Sequence, residues 1–255
     1  MPAPVFGGVG AALVTLFDDD GELDAKATAE HAARLVDAGI RAIVVAGSTG
    51  EASALEDAER AALLDAVRAS VAGAVPVLAG VGAPSPRQAL GLVRLALDHG
   101  ADALLALSPP RVADPRAYFR ALADAAGATP LLAYHYPEVS PPGIPVALLG
   151  ELPVQGLKDS SGDPERLLQE LDTYDGPLYV GSSSILALAG PLGCAGAILA
   201  LANAEPEACI AAFAGDVDAQ RRLVRAHLAA KRDFPAGLKA LLAERFGTSR
   251  TARLG

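Results

Sequence analysis

Short apolar runs recur along the chain and alternate with longer stretches of helical period. The runs cover residues 9–16, 41–46, 75–80, 103–107, 130–134, 154–158, 178–181 and 196–201. They are continuous rather than alternating, the pattern of strands covered on both faces, as in a parallel sheet. Between them the pattern predicts helices over 24–38, 56–71, 85–99, 115–126, 164–171 and 185–192. Asp24 is placed to cap the first and Gly39 to end it. After the fifth run a proline-rich connection, 137–145, leads to a short helix ending near Gly150. From Pro206 onward the chain reads as helical to its end, with a break at Pro235. Eight strand–helix units of roughly 25–30 residues each have the cadence of a closed (β/α)₈ barrel. An open doubly wound sheet is the competing architecture, but its glycine fingerprint is missing from the first strand–helix turn, Thr15-Leu16-Phe17-Asp18. No Ser/Gly-rich linker divides the chain. The sequence therefore predicts the α/β class and a TIM barrel over residues 1–205. Residues 206–255 read as the last barrel helix plus a short C-terminal helical extension.

Composition narrows what such a barrel can do. Half of the 255 residues are apolar, ample for one large core, and the formal net charge of −9 makes nucleic acid and anionic membrane poor partners. No run reaches transmembrane length, and residues 1–10 lack the basic start and apolar stretch of a signal peptide, so a soluble, cytoplasmic protein is expected. Cys194 and Cys209 have no metal-ligand spacing, and His31, His99, His135 and His227 are widely scattered, so no metal is expected.

In a (β/α)₈ barrel, chemistry is carried at the C-terminal ends of the strands. Lys158 ends the sixth run. It is one of four lysines, and the others, Lys26, Lys231 and Lys239, lie in polar or helical surroundings. A buried ammonium is expensive unless it is paired or loses its proton. Lys158 is thus either a nucleophile with a depressed pKa or a structural lysine paired with Asp159 or another acid. Gly47-Ser48-Thr49-Gly50 after the second run offers hydroxyls and backbone N–H groups to a carboxylate or phosphate; the alternative is a turn whose Ser48 or Thr49 caps the next helix. Tyr134 ends the fifth run, as a proton relay or as a packed core tyrosine. His135 alternates to the opposite face and reads as structural. Gly181-Ser182-Ser183-Ser184 suggests phosphate, but strand eight supplies no glycine, so a helix-capping loop is the better reading.

Three segments, Gly47-Ser48-Thr49-Gly50-Glu51, Tyr134-His135-Tyr136-Pro137 and Gly156-Leu157-Lys158-Asp159-Ser160-Ser161-Gly162, resemble signatures of the dihydrodipicolinate synthase / N-acetylneuraminate lyase superfamily. The opening Gly8-Val9, Thr15-Leu16-Phe17 and Asp20-Gly21, and the later Ala202-Asn203 and Pro206, resemble it too. The resemblance implies a class I aldolase in which Lys158 forms an imine with pyruvate or another 2-oxo acid. It further implies that Ser48 and Thr49 bind the carboxylate, that Tyr134 shuttles a proton, and that Gly181 and Ile198 line the pyruvate pocket. No metal or organic cofactor is then needed, and a homo-oligomer, dimer or tetramer, is expected. Two departures stand out. Val139 occupies the position of an arginine that grips a dicarboxylate in the synthase, and Ser108-Pro109-Pro110-Arg111 replaces a tyrosine pair. The expected activity is a lyase or aldolase acting on a 2-keto-3-deoxy sugar acid or 4-hydroxy-2-oxoglutarate. The alternatives are a synthase-like condensing enzyme or dehydratase using the same imine, and a catalytically idle barrel that binds a 2-oxo acid.

Overall fold

The computed structural model describes residues 2–254 and contains eight parallel strands closed into a barrel in chain order, with β1 pairing β8. The strands are β1 (Gly8–Ala12), β2 (Ile43–Val45), β3 (Val77–Gly80), β4 (Ala103–Leu107), β5 (Leu131–His135), β6 (Gly156–Asp159), β7 (Leu178–Val180) and β8 (Gly196–Leu199). Helices α1 (Ala25–Asp37), α2 (Asp57–Val71), α3 (Pro86–Asp98), α4 (Arg116–Ala126), α5 (Pro164–Thr173), α6 (Leu186–Ala189) and α7 (Pro206–Phe213) follow in order. After β5 a 3₁₀ turn, Val146–Glu151, replaces the α-helix. Two further helices, α8 (Val217–Arg232) and α9 (Ala236–Phe246), complete the C-terminal part. This is the predicted TIM barrel with its C-terminal helices.

Local chemistry explains where the helices begin. The Asp24 carboxylate accepts from Ala27 N–H, Ser85 Oγ from Gln88 N–H, and Asp163 from Glu165 and Arg166 N–H. Pro86 and Pro164 stand in first turns, where no amide hydrogen is missed. Strand residues then alternate between two apolar layers. One joins the outer strand face to the helices. The other fills the barrel, with Ala12, Val44, Leu78, Leu105, Leu132, Tyr134, Tyr179 and Ile198. Phe6 and Tyr179 pack together inside it, ring centroids 4.7 Å apart, and the Tyr179 hydroxyl donates to Phe6 O at 3.0 Å. Gly10 and Gly196 make room for these rings: a Cβ on Gly10 would lie 2.9 Å from Phe6, and one on Gly196 would lie 3.1 Å from Tyr179.

Two expectations about extent change. The first strand ends at Ala12, and residues 13–17 continue as buried coil. Leu13 N–H still donates to Val44 O of β2 at 2.9 Å, but beyond it side chains take over: Val14 N–H donates to Asn203 Oδ1 at 3.1 Å and Leu16 N–H to Thr28 Oγ1 at 2.9 Å. The C-terminus is not helical throughout. The break at Pro235 is present, but α9 stops at Phe246, where Gly247 takes a left-handed φ of 69°. The following residues return, without regular structure, to the loop after β2. Among the described residues no helix is long and apolar enough to cross a membrane.

Candidate active site

The register of β5 against β6 pairs Tyr134 with Lys158, and that of β6 against β7 pairs Lys158 with Tyr179. Partnered residues in a parallel ladder point to the same face, so Lys158 enters the barrel interior with the two tyrosines. Its neighbours Leu157 and Asp159 alternate outward. Lys158 is 4% exposed, and burial alone lowers its pKa to about 7. Among the described residues it makes no ion pair. Asp159 accepts instead from Arg166 Nε of α5 at 2.8 Å. The same nitrogen lies 2.8 Å from Glu170 Oε1 but aims its hydrogen at Asp159. The Glu170 carboxyl, buried and next to Asp159, is pushed up to about 9. The structural alternative, Lys158 paired with Asp159, is therefore not what the chain builds.

What Lys158 does face is an aromatic ring. Its Nζ lies 4.1 Å from the Tyr134 ring centroid, over the electron-rich face. The Tyr134 phenol is buried, which raises its pKa, and its oxygen accepts from the Ser160 hydroxyl at 3.3 Å. His135 faces outward as expected. Its Nδ1 accepts from Ile144 N–H at 2.8 Å, and burial and then Arg166 hold its pKa down.

The turn after β2 is closed by its own backbone: Gly50 N–H donates to Gly47 O at 3.0 Å and Glu51 N–H to Ser48 O at 3.2 Å. Neither Ser48 nor Thr49 caps a helix, since Glu56 caps α2. Among the described residues the amides of Ser48 and Thr49 donate to no protein group, which leaves two N–H groups for an anion. Thr15 supports the turn from below, donating to Gly50 O at 2.7 Å.

A cavity of about 310 Å³ opens over Lys158 and Tyr134 and reaches Thr49 and Gly181. A Cβ on Gly181 would overlap Ser160 Oγ and lie 3.0 Å from Lys158 Cε, so only glycine leaves the lysine its room. Two expected residues sit differently. Ser48 lines a second cavity of about 850 Å³ between the β2, β3 and β4 loops. Ile198 is fully buried in the same barrel-filling cluster as Tyr134, and it is Ala200 and Leu201 that reach the Lys158 cavity from the β8 side.

Sequence reasoning missed much of the cavity's outer wall. Ser160, Ser161 and Ser182–Ser184 line it, so the serine run after β7 is not the helix-capping loop that was expected; Ile185 precedes α6 without a side-chain cap. Helix α8 supplies His227 and Lys231. Ser183 Oγ lies 2.9 Å from His227 Nδ1, and Gln220 of α8 donates to Ser183 O in the same loop and accepts from Ala187 N–H of α6. Across the mouth Lys231 meets Glu138 at 3.3 Å. Nothing at the strand ends announces the α8 residues; the only signal was the amphipathic period of that helix. Val139 is half exposed and faces the larger cavity, and Arg111 lies on the surface.

Comparison with known proteins agrees with this geometry. The profile of the Dihydrodipicolinate synthetase family matches residues 5–244. A DapA-like lyase of Halobacterium salinarum is 35% identical over 252 residues, covering 93% of this chain and 83% of its own length. A 4-hydroxy-tetrahydrodipicolinate synthase of Nitrosospira multiformis is 37% identical over 236 residues, covering 85% and 78%. Among solved structures, YagE of E. coli K12, a dihydrodipicolinic acid synthase family protein in complex with pyruvate, superposes with a TM-score of 0.89 at 25% identity, over 98% of this chain and 92% of that one. This chain belongs to the dihydrodipicolinate synthetase family.

Proposed function

We propose that the protein is a lysine-dependent aldolase or lyase that joins Lys158 to the C2 carbonyl of a 2-oxo acid. The observation that carries this reading is Lys158 itself, buried, without an acid partner and lowered to about 7 by burial, so that a large share of it is free amine at neutral pH. Nζ attacks the carbonyl carbon, water leaves, and the protonated imine withdraws electrons from C3. In the cleavage direction the C3–C4 bond breaks, its electrons form an enamine, and the proton of the C4 hydroxyl must go to a base. Protonation of C3 and hydrolysis then release pyruvate and free the lysine.

Tyr134 is the base that the geometry offers. Burial makes its phenolate costly in the resting site, but an iminium held against the ring lowers that cost by its positive charge. Ser48 and Thr49 offer amides and hydroxyls to the substrate carboxylate. Beyond the imine, the serine-lined wall suits a hydroxylated chain, which supports a 2-keto-3-deoxy sugar acid over a second carboxylate. Val139, apolar where an anion grip would need an arginine, points the same way.

Borohydride trapping with pyruvate tests the core of the proposal. Mass spectrometry should find one reduced pyruvyl adduct, on Lys158, and none on Lys158→Arg. No adduct with pyruvate or any other 2-oxo acid would sink it. Pyruvate release from a 2-keto-3-deoxy sugar acid, set against 4-hydroxy-2-oxoglutarate, then ranks the substrates.

A further inference from the structure

The residue after the Ser48–Thr49 turn is Glu51, and its surroundings are unusual. It sits in the left-handed region, φ 54° and ψ 42°, with its side chain fully buried. A carboxylate so placed needs strong donors. All of them come from the far end of the chain. Lys239 Nζ of α9 lies 2.5 Å from Oε1, while the backbone N–H groups of Arg253 and Leu254 donate to Oε2 at 2.8 and 2.7 Å. Lys239 also donates to Thr251 O at 2.7 Å, tying the same segment from its other side. The Arg253 guanidinium spans further. It donates to Ala54 O at 2.9 Å, to Gly21 O at 2.8 Å, and through two nitrogens to Glu59 of α2 at 2.6 and 2.8 Å. It also covers one face of Phe17, 4.3 Å from the ring centroid.

These bonds grip the loop after β2 at three points: Glu51, the 3₁₀ turn at Ala54, and the first turn of α2. The stretch between β2 and the first of them is Ala46–Gly50, which carries Ser48 and Thr49. Among the described residues, only internal turn bonds and Thr15 hold that stretch otherwise. We infer that the segment Thr251–Leu254 is a positioning clamp: through Glu51 and Arg253 it sets the Ser48 and Thr49 amides for the carboxylate of a 2-oxo acid. None of these clamp residues lines the Lys158 cavity, so Glu51 and Arg253 are positioning residues and not catalytic ones. The inference rests on the reading of Ser48 and Thr49 given under Proposed function.

Arg253→Ala is the direct test, since this side chain is partly exposed and its loss leaves the Glu51–Lys239 pair in place. Glu59→Gln, which removes the charge that Arg253 meets but keeps an amide oxygen to accept from Glu56 N–H at the start of α2, is the second variant. Two measurements are made on the full chain. The first is amide hydrogen exchange over residues 46–54 without ligand, and a clamp predicts faster exchange there in both variants while the strands stay protected. The second is the pyruvate concentration that half-saturates borohydride trapping. It should rise about tenfold in Arg253→Ala, the size of one lost charged hydrogen bond, with the maximal trapping rate changed less than about twofold. Unchanged exchange over 46–54 overturns the clamp, whatever the chemistry. Faster exchange with unchanged half-saturation overturns its link to carboxylate binding. A wild-type protein that forms no adduct sinks the imine reading instead, while the exchange measurement still decides the clamp.

Discussion

Lys158 and Lys239 are both buried, and each lies over an aromatic ring, Tyr134 at 4.1 Å and Phe17 at 4.4 Å. They differ in what else they meet. Lys239 has a carboxylate at 2.5 Å and a carbonyl at 2.7 Å, and its charge is answered. Burial lowers its pKa, but Glu51 opposes the shift. Lys158 has burial and nothing against it, so its amine loses its proton near neutral pH. The same residue type, at similar depth, is a paired rivet in one place and, in the other, the unpaired amine that we propose as the nucleophile. Whether an acid was placed within reach decides which. Burial alone does not mark a reactive lysine; burial without a partner, at the mouth of a barrel, does.

Substitutions can break this contrast or sharpen it. The largest expected effect is on activity. Lys158→Arg should lower kcat/KM for pyruvate release by at least about 10⁴-fold, whereas Lys239→Met, if it folds, should still form the adduct. An adduct that survives the first change and vanishes in the second would reverse the two roles. Tyr134→Phe gives Lys158 the kind of ring that Lys239 has. It should cost about 10²–10⁴-fold in kcat while leaving half-saturation by pyruvate within a few-fold, because the lost hydroxyl acts on the proton. Steady-state kinetics on the same substrate measures both.

Stability should move in opposite directions at the two sites. Lys239→Met strands the Glu51 carboxylate and should destabilise by roughly 3–5 kcal/mol in urea unfolding. Lys158→Met should stabilise, by about 2–4 kcal/mol at pH 8. The sign follows from the lowered pKa of Lys158: the unfolded chain binds a proton there that the folded chain releases. That penalty is full below about pH 7 and fades as pH rises toward 10.5. A destabilised Lys158→Met would show that some unrecognised partner answers the charge. The smallest effect is graded: the rate of adduct formation should fall about tenfold per pH unit below about 7 and flatten above it, because only the free amine attacks. A flat profile from pH 5 to 8 would contradict the lowered pKa.

The barrel was legible because its strands are continuous apolar runs at even spacing, and because Asp24, Ser85 and Asp163 mark helix starts within a few residues. Lys158 and Tyr134 were legible because a strand end fixes which way a side chain points. The exact end of β1 was not, since the run stays mostly apolar to Phe17 while Asn203 and Thr28, remote in sequence, take the Val14 and Leu16 amides. Lys239 is helical as expected, but its burial and pairing were not legible, because its acid lies 188 positions away. The His227–Lys231 face of α8 was hidden likewise, because packing against the barrel mouth, and no local pattern, turns it inward.

The register that sets Tyr134 beside Lys158 is made of backbone bonds in the barrel wall. By contrast, Glu138, Ser182–Ser184 and Lys231 stand on loops and on a helix outside that wall. A change in the second group alters which molecule fits without shifting the first by a bond length. If Lys158 and Tyr134 react as proposed, such a scaffold lets a substitution at the rim change the accepted substrate while the wall that holds the pair stays as it is.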